Sequence, residues 1–347
     1  MNFPIVLNHR KNKFSVKLGG IVIAILFFFN LGMAQHTHLK VLKAYSIKST
    51  GGWDYIAIHD ATQRLFVSHG IQVNVLNAVS GDSIGIIPNT IGVHGVAFVN
   101  ALNKGYTSNG RLNNVYVFNL NTLKVEDSIA TGENPDAIFY NEITKKIYTC
   151  NGRSKDISVI DPFTNTVIAT IPVGGKPETA VSDEKGNLYV NIEDKSEIVL
   201  IDGATNQVMH HWSIAPAEEP TGLVYDAATH TLFAGCGNKM MAVVDARNGI
   251  VKKMVPIGAG CDGVAFDKTW RQVYASNGQD GMLSIVSADT YAVLNTIPTM
   301  KTARTIAVSE KTHHIFLPAA AIDHKSVPGK RPAMLPGSFR VLLVGQE

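Results

Sequence analysis

Asp54, His94, Asp136, Glu178, Thr221, Asp262 and Arg304 stand 40, 42, 42, 43, 41 and 42 residues apart along the chain. All but Thr221 carry ionisable groups. Carboxylates brought face to face raise one another's pKa values, and a histidine, an arginine or a bound cation relieves that repulsion. Gathered in one concave place, such a set would hold a small polar ligand or a protein segment. The plainer reading has the same residues capping turns around a water-filled channel. His94, Asp136, Glu178 and Asp262 also offer oxygen donors and one imidazole, a set suited to calcium, manganese or zinc. Two functions follow as alternatives: a binding or scaffold protein without turnover, and a metal-assisted hydrolase or lactonase. No cofactor is identified by the sequence itself.

Spacing this regular needs a repeated element to carry it. Each position is the second residue of a similar segment: WDYIAI at Trp53, VHGVAF at Val93, PDAIFY at Pro135, PETAVS at Pro177, PTGLVY at Pro220, CDGVAF at Cys261 and ARTIAV at Ala303. Further segments follow in step. In the third unit AIFY, KKIYTC, DISVI and VIATIPV are separated by NEIT, NGRSK and DPFTN, all rich in turn formers. Alternating β-branched residues without helical periodicity predict an all-β chain. A period near 40 with four strands per unit predicts a seven-bladed β-propeller of four-stranded antiparallel blades. The seventh unit ends after its third strand, FRVLLV (339–344), while LKVLKAYSI (39–47) stands alone before the first. Pairing those two closes the ring with the N-terminal strand and leaves no long sheet edge open. An open β-solenoid would leave the orphan strand unexplained.

The first 34 residues have a different character. Arg10, Lys11, Lys13 and Lys17 precede IVIAILFFFNLGMA, an apolar run ending in small residues. This is the pattern of a secretory signal peptide, with cleavage expected after Ala34. The run is too short for a membrane span of about 20 residues, so residues 35–347 are expected to form one propeller domain, monomeric and periplasmic or secreted. Removing residues 1–34 leaves 27 basic and 28 acidic residues, where the whole chain is formally +3. A near-neutral domain argues against nucleic acid as the partner; such binding would need a local basic patch from Lys325, Lys330 and Arg331. These three sit in AIDHKSVPGKRPAMLPG (321–337), an insertion far longer than the other turns and placed to cover one mouth of the channel.

Cys150, Cys236 and Cys261 are too few for a disulfide scaffold. Cys236 and Cys261 fall near each other at the hub, where either a disulfide or two buried free thiols would fit. Ser68, Ser108, Cys150, Asn191, Asn238 and Ser276 mark the ends of second strands on the same face, chiefly as turn formers, and Arg153 and Glu193 could extend the site. Gly258, Gly260 and Gly263 match G-x-G-x-x-G but lead into a strand, so the dinucleotide reading fails. G-x-S-x-G, H-E-x-x-H and C-x-x-C-H are absent.

Taken together, GVHGVAF, GENPDAIFY, CNGRS, GGKPETAV, NIEDK, EEPTGLVYD, GCGNK and LPGSFRVLLV resemble the YncE-like family of exported bacterial YVTN-repeat β-propellers. The resemblance covers essentially the whole chain after residue 34. It implies a propeller fold and export. Some members of that family are associated with single-stranded DNA or with metal-regulated expression. The first repeat departs most from the pattern, with Trp53 and Tyr55 where other repeats hold smaller residues.

Overall fold

The computed structural model describes residues 1–4, 38–323 and 333–346. The chain divides into Met1–Gln35 and His36–Glu347. The expected signal peptide falls, beyond residue 4, outside the described residues, as do Lys325, Lys330 and Arg331. No helix among the described residues is long and apolar enough to cross a membrane.

Seven antiparallel four-stranded sheets make up the larger unit. In the third blade the strands are Pro135–Asn141, Lys146–Asn151, Asp156–Asp161 and Thr166–Pro172, paired in chain order. Turns between such strands use residues that tolerate a left-handed backbone, among them Asn103 and Asn113 in the second blade, Asn165 in the third and Asn206 in the fourth. Five further blades repeat the plan. The seventh is assembled from both ends of the chain, in the order Lys40–Ser46, Arg340–Gly345, Ile315–Ala319, Ala307–Val308. Lys40 lies opposite Gly345 and Ser46 opposite Arg340. The expected closure of the ring is therefore present.

Alternation along each strand sends successive side chains to opposite faces of a blade, so every sheet must be covered twice. Phe66 packs with Val93 and Phe118 of the second blade. Its chain neighbours Leu65 and Val67 pack with Val341 and Leu343 of the seventh. Seven such apolar clusters, one between each pair of adjacent blades, replace a single central core. The hub is thus released from packing duty and can hold polar groups.

The same alternation settles the thiols. Cys236 packs with Leu232 and Ala234 on the face of the fifth blade turned to the fourth. Cys261 packs with Val243 and Val255 on the opposite side. The disulfide considered for this pair is not formed; both are buried free thiols, as is Cys150. Burial pushes the Cys236 and Cys261 thiols up to about 12. Native protein is expected to react with no thiol-specific reagent in minutes, and the unfolded chain with three equivalents. Recovery of one equivalent after unfolding would instead mean a disulfide.

Candidate functional site

The inner strands start with a local distortion that aims the repeat-start residues. In six blades the register against the second strand shifts just past that residue, for example between Val93 and Val96 and between Pro135 and Ile138. Equivalent shifts occur at Trp53, Pro177, Pro220 and Cys261. A bulge bends the strand and re-aims a side chain. Glycine permits the close approach of neighbouring inner strands that follows. A Cβ on Gly222 would lie 2.4 Å from the Val264 nitrogen, so no other residue fits without backbone movement.

Second-strand side chains then fix the bulged backbone. Ser108 Oγ accepts from the Gly95 amide at 2.9 Å and donates to the Asp136 carbonyl of the next blade. Asn191 Nδ2 donates to the carbonyls of Thr221 and Gly222, both at 3.2 Å. Ser276 Oγ donates to the Arg304 carbonyl of the next blade at 2.5 Å. Across the closure, Thr305 Oγ1 donates to the Asp54 carbonyl at 2.6 Å. The polar ends of the second strands therefore act as latches between blades, a role beyond the turn chemistry expected of them.

The ring's side chains do not all meet. Asp54 Oδ2 lies 2.6 Å from His94 Nδ1, and Asp136 Oδ1 lies 3.4 Å from the same nitrogen. Arg304 approaches Asp54 Oδ1 at 3.2 Å, donates to the Trp53 carbonyl at 2.7 Å and pairs with Asp262. Glu178 is held 3.2 Å from Lys176 Nζ, which also pairs with Glu193. The Tyr55 hydroxyl reaches across the hub to Glu178 Oε1 at 3.4 Å. Thr221 turns away, donating to the Cys261 carbonyl at 2.9 Å. Of the four metal candidates, His94 and Asp136 come together and are joined by Asp54, whereas Asp262 is engaged by Arg304 and Glu178 by Lys176. Arg153 is exposed.

Lys176 and Asp54's central place escaped the sequence reading. Lys176 immediately precedes its repeat start and was visible only as part of GGKPETAV. Asp54 becomes the neighbour of Arg304 only when the ring closes.

Charge is unevenly relieved in this cluster. Burial works against the Asp54 anion, but the His94 hydrogen bond and the Arg304 charge outweigh it and hold Asp54 below the usual aspartate range. Burial also works against the His94 cation. The Asp54 hydrogen bond and the surrounding carboxylates reverse this and raise His94 to about 9. Asp136 is the strained member: burial, then the Glu178 charge, push it well above the ordinary value. Burial raises Glu178 too, against the pull of Lys176. Asp136 Oδ1 is buried and accepts no hydrogen bond, because the His94 Nδ1 proton is directed to Asp54. A buried acceptor without a donor costs about 1–3 kcal/mol.

The base of the 321–337 insertion stands on this side of the ring. The Leu335 amide donates to the Ala321 carbonyl at 2.7 Å, and Ile322 bridges Met334. Phe339 stacks on His69 at 3.8 Å and lies 5.1 Å from Trp53, next to Asp54 in the chain. A separate hollow of about 630 Å³, lined in part by Tyr225, Phe266, Lys268 and Arg271, lies at the other end of the inner strands. Its cations are already paired: Lys268 with Glu310, and Arg271 with Asp226 and Asp289. The unrelieved charge is at the ring.

No family model matches the chain. Over 155 residues, 43% of its length, the chain is 26% identical to "Uncharacterized protein YncE" of Salmonella typhimurium. A second YncE, from Salmonella typhi, matches equally. Each match takes in 44% of the relative's own length. Among solved structures, hydrazine synthase of Kuenenia stuttgartiensis shares the fold with a TM-score of 0.71. That likeness covers 82% of this chain and 96% of the other at 15% identity, and is a likeness of fold alone. The YncE-like resemblance seen in the repeats is thus met again in sequence over part of the chain, and the propeller it implies is present in the fold.

Proposed function

We propose that this chain is an exported, monomeric binding propeller that holds a small, positively charged ligand at the channel mouth, on Asp54, His94, Asp136 and Glu178. The observation that carries this reading is the buried Asp136 oxygen, which faces the ring without a donor while its carboxyl is pushed upward by burial and by Glu178. A folded protein keeps such a cost where function uses it. A cationic ligand supplies the missing partner and relieves the repulsion between Asp136 and Glu178 in one step. Bond-making chemistry would require a nucleophile or a poised general acid and base; the ring's strong pairs, Asp54 with His94 and Arg304 with Asp262, favour holding over turnover.

Asp136→Asn separates binding from folding. The amide keeps the shape and removes the buried charge, whose cost is present at neutral pH and disappears only below the ordinary aspartate range. The variant is expected to equal wild type in stability or exceed it by about 1 kcal/mol. Thermal melts against Mn²⁺, Zn²⁺, Ca²⁺, putrescine and arginine test the binding itself. At least one of these probes is expected to raise the wild-type Tm by several degrees and to leave Asp136→Asn unmoved. Absence of any shift in wild type, or equal shifts in both proteins, would overturn the reading.

A further inference from the structure

We infer that the cation at the channel mouth is a single divalent transition-metal ion bound by Asp54, His94 and Asp136. The inference rests on the reading of the ring as a cation site and narrows it to one chemistry. Three consecutive inner strands deliver one ligand atom each, and the three atoms lie within 4.8 Å of one another. Donors around a single ion at about 2.1 Å stand roughly 3–4 Å apart, so small shifts bring this set into coordination, the Asp54–His94 pair widening from 2.6 Å and the widest separation closing. His94 Nδ1 is already 3.4 Å from Asp136 Oδ1.

Two observations beyond the cluster of acids point to an ion. One donor is an imidazole nitrogen, which an ammonium ligand has no use for while it carries its proton, and which transition metals prefer to Mg²⁺ or Ca²⁺. The other is Asp136 itself, 6% exposed, with its Oδ1 turned into the cluster and accepting no hydrogen bond. The surroundings hold the ligands in place. Arg304 grips the second oxygen of Asp54, and Ser108 and Thr305 hold the carbonyls of Asp136 and Asp54. On binding, the metal takes the place of the Nδ1 proton between His94 and Asp54, and that proton leaves to solvent. Glu178, whose charge acts on both His94 and Asp136, stands nearby with the Tyr55 hydroxyl on its Oε1. One imidazole with two carboxylates suits Mn²⁺, Fe²⁺ or Zn²⁺.

The test uses the full exported chain purified without chelator, then stripped and titrated calorimetrically with Mn²⁺ and with Zn²⁺. One ion per chain is expected, at least tenfold weaker in both His94→Gln and Asp136→Asn. His211→Gln, which changes an exposed histidine paired with Glu197, is expected to bind as wild type does. The electron paramagnetic resonance spectrum of bound Mn²⁺ should change from wild type to His94→Gln. No binding of either ion to folded wild type, or equal affinity in wild type, His94→Gln and Asp136→Asn, would overturn the metal. Should putrescine or arginine then still raise the wild-type Tm and leave Asp136→Asn unmoved, the cation-binding reading survives without it.

Discussion

A chain that begins at Lys48 is expected to lose its closed ring. The segment Lys40–Ser46 is the fourth strand of the seventh blade, paired along its length with Arg340–Gly345. Its removal strips Arg340–Gly345 of a partner and opens the apolar cluster that holds Tyr45 with Trp53, Val341 and Leu343. It also removes the Tyr45 hydroxyl bond to the Val79 carbonyl at 2.9 Å, one tie between the seventh blade and the first. Each backbone bond contributes about 1 kcal/mol net, and each buried large apolar side chain about 2 kcal/mol. The summed loss reaches about 5 kcal/mol or more, comparable with the whole stability of a domain. The exposed edge would also template pairing between chains. Light scattering with a thermal melt decides the matter. A monodisperse monomer with the wild-type Tm would show that the closing strand is dispensable.

Asp54→Ala is expected to be the most damaging single change in the ring. The Asp54 carboxylate, 17% exposed, joins His94 to Arg304 and so ties the second blade, through the first, to the seventh. Removing one partner of a buried pair costs about 3–5 kcal/mol, because the cations left behind keep the cost of burial without compensation. The lower end applies to a group that keeps some contact with water, giving about 3 kcal/mol and a fall in Tm of roughly 6 °C. A second readout is specific to the pairing. The His94 imidazole, raised to about 9 in wild type, should titrate well below that value in the variant. Stability should follow the same groups. His94 gains its partner on folding, so its contribution is full below the ordinary histidine value and is lost as pH rises through about 9. Asp54 is held low, so its contribution is present above the ordinary aspartate range and is lost on acidification. An Asp54→Ala protein with wild-type Tm and an unshifted His94 titration would remove the pair from the account.

Taken alone, the sequence determined the repeat, the number of blades, the closure of the ring and the seven positions that open the inner strands. Those are consequences of chain-local chemistry: β-branched alternation selects strands, Asn and Gly select turns, and a fixed period places equivalent residues at equivalent angles. It did not determine which of the seven would touch. Asp54 and Arg304 are partners only because Lys40–Ser46 pairs with Arg340–Gly345, a contact between opposite ends of the chain. Thr221 was given the position in its blade that Asp136 holds in another, yet its short side chain finds the Cys261 carbonyl before it can reach the channel. Tyr55, noticeable only as an oversized residue in the first repeat, spans the hub to Glu178 in the fourth blade. Cys236 and Cys261, near each other by blade position, lie on opposite sides of the fifth-blade sheet, Cys236 in the cluster toward the fourth blade and Cys261 in the cluster between the fifth and sixth. In each case the deciding interaction is short-ranged and lies between blades, so it is set by side-chain length and direction after the ring has closed.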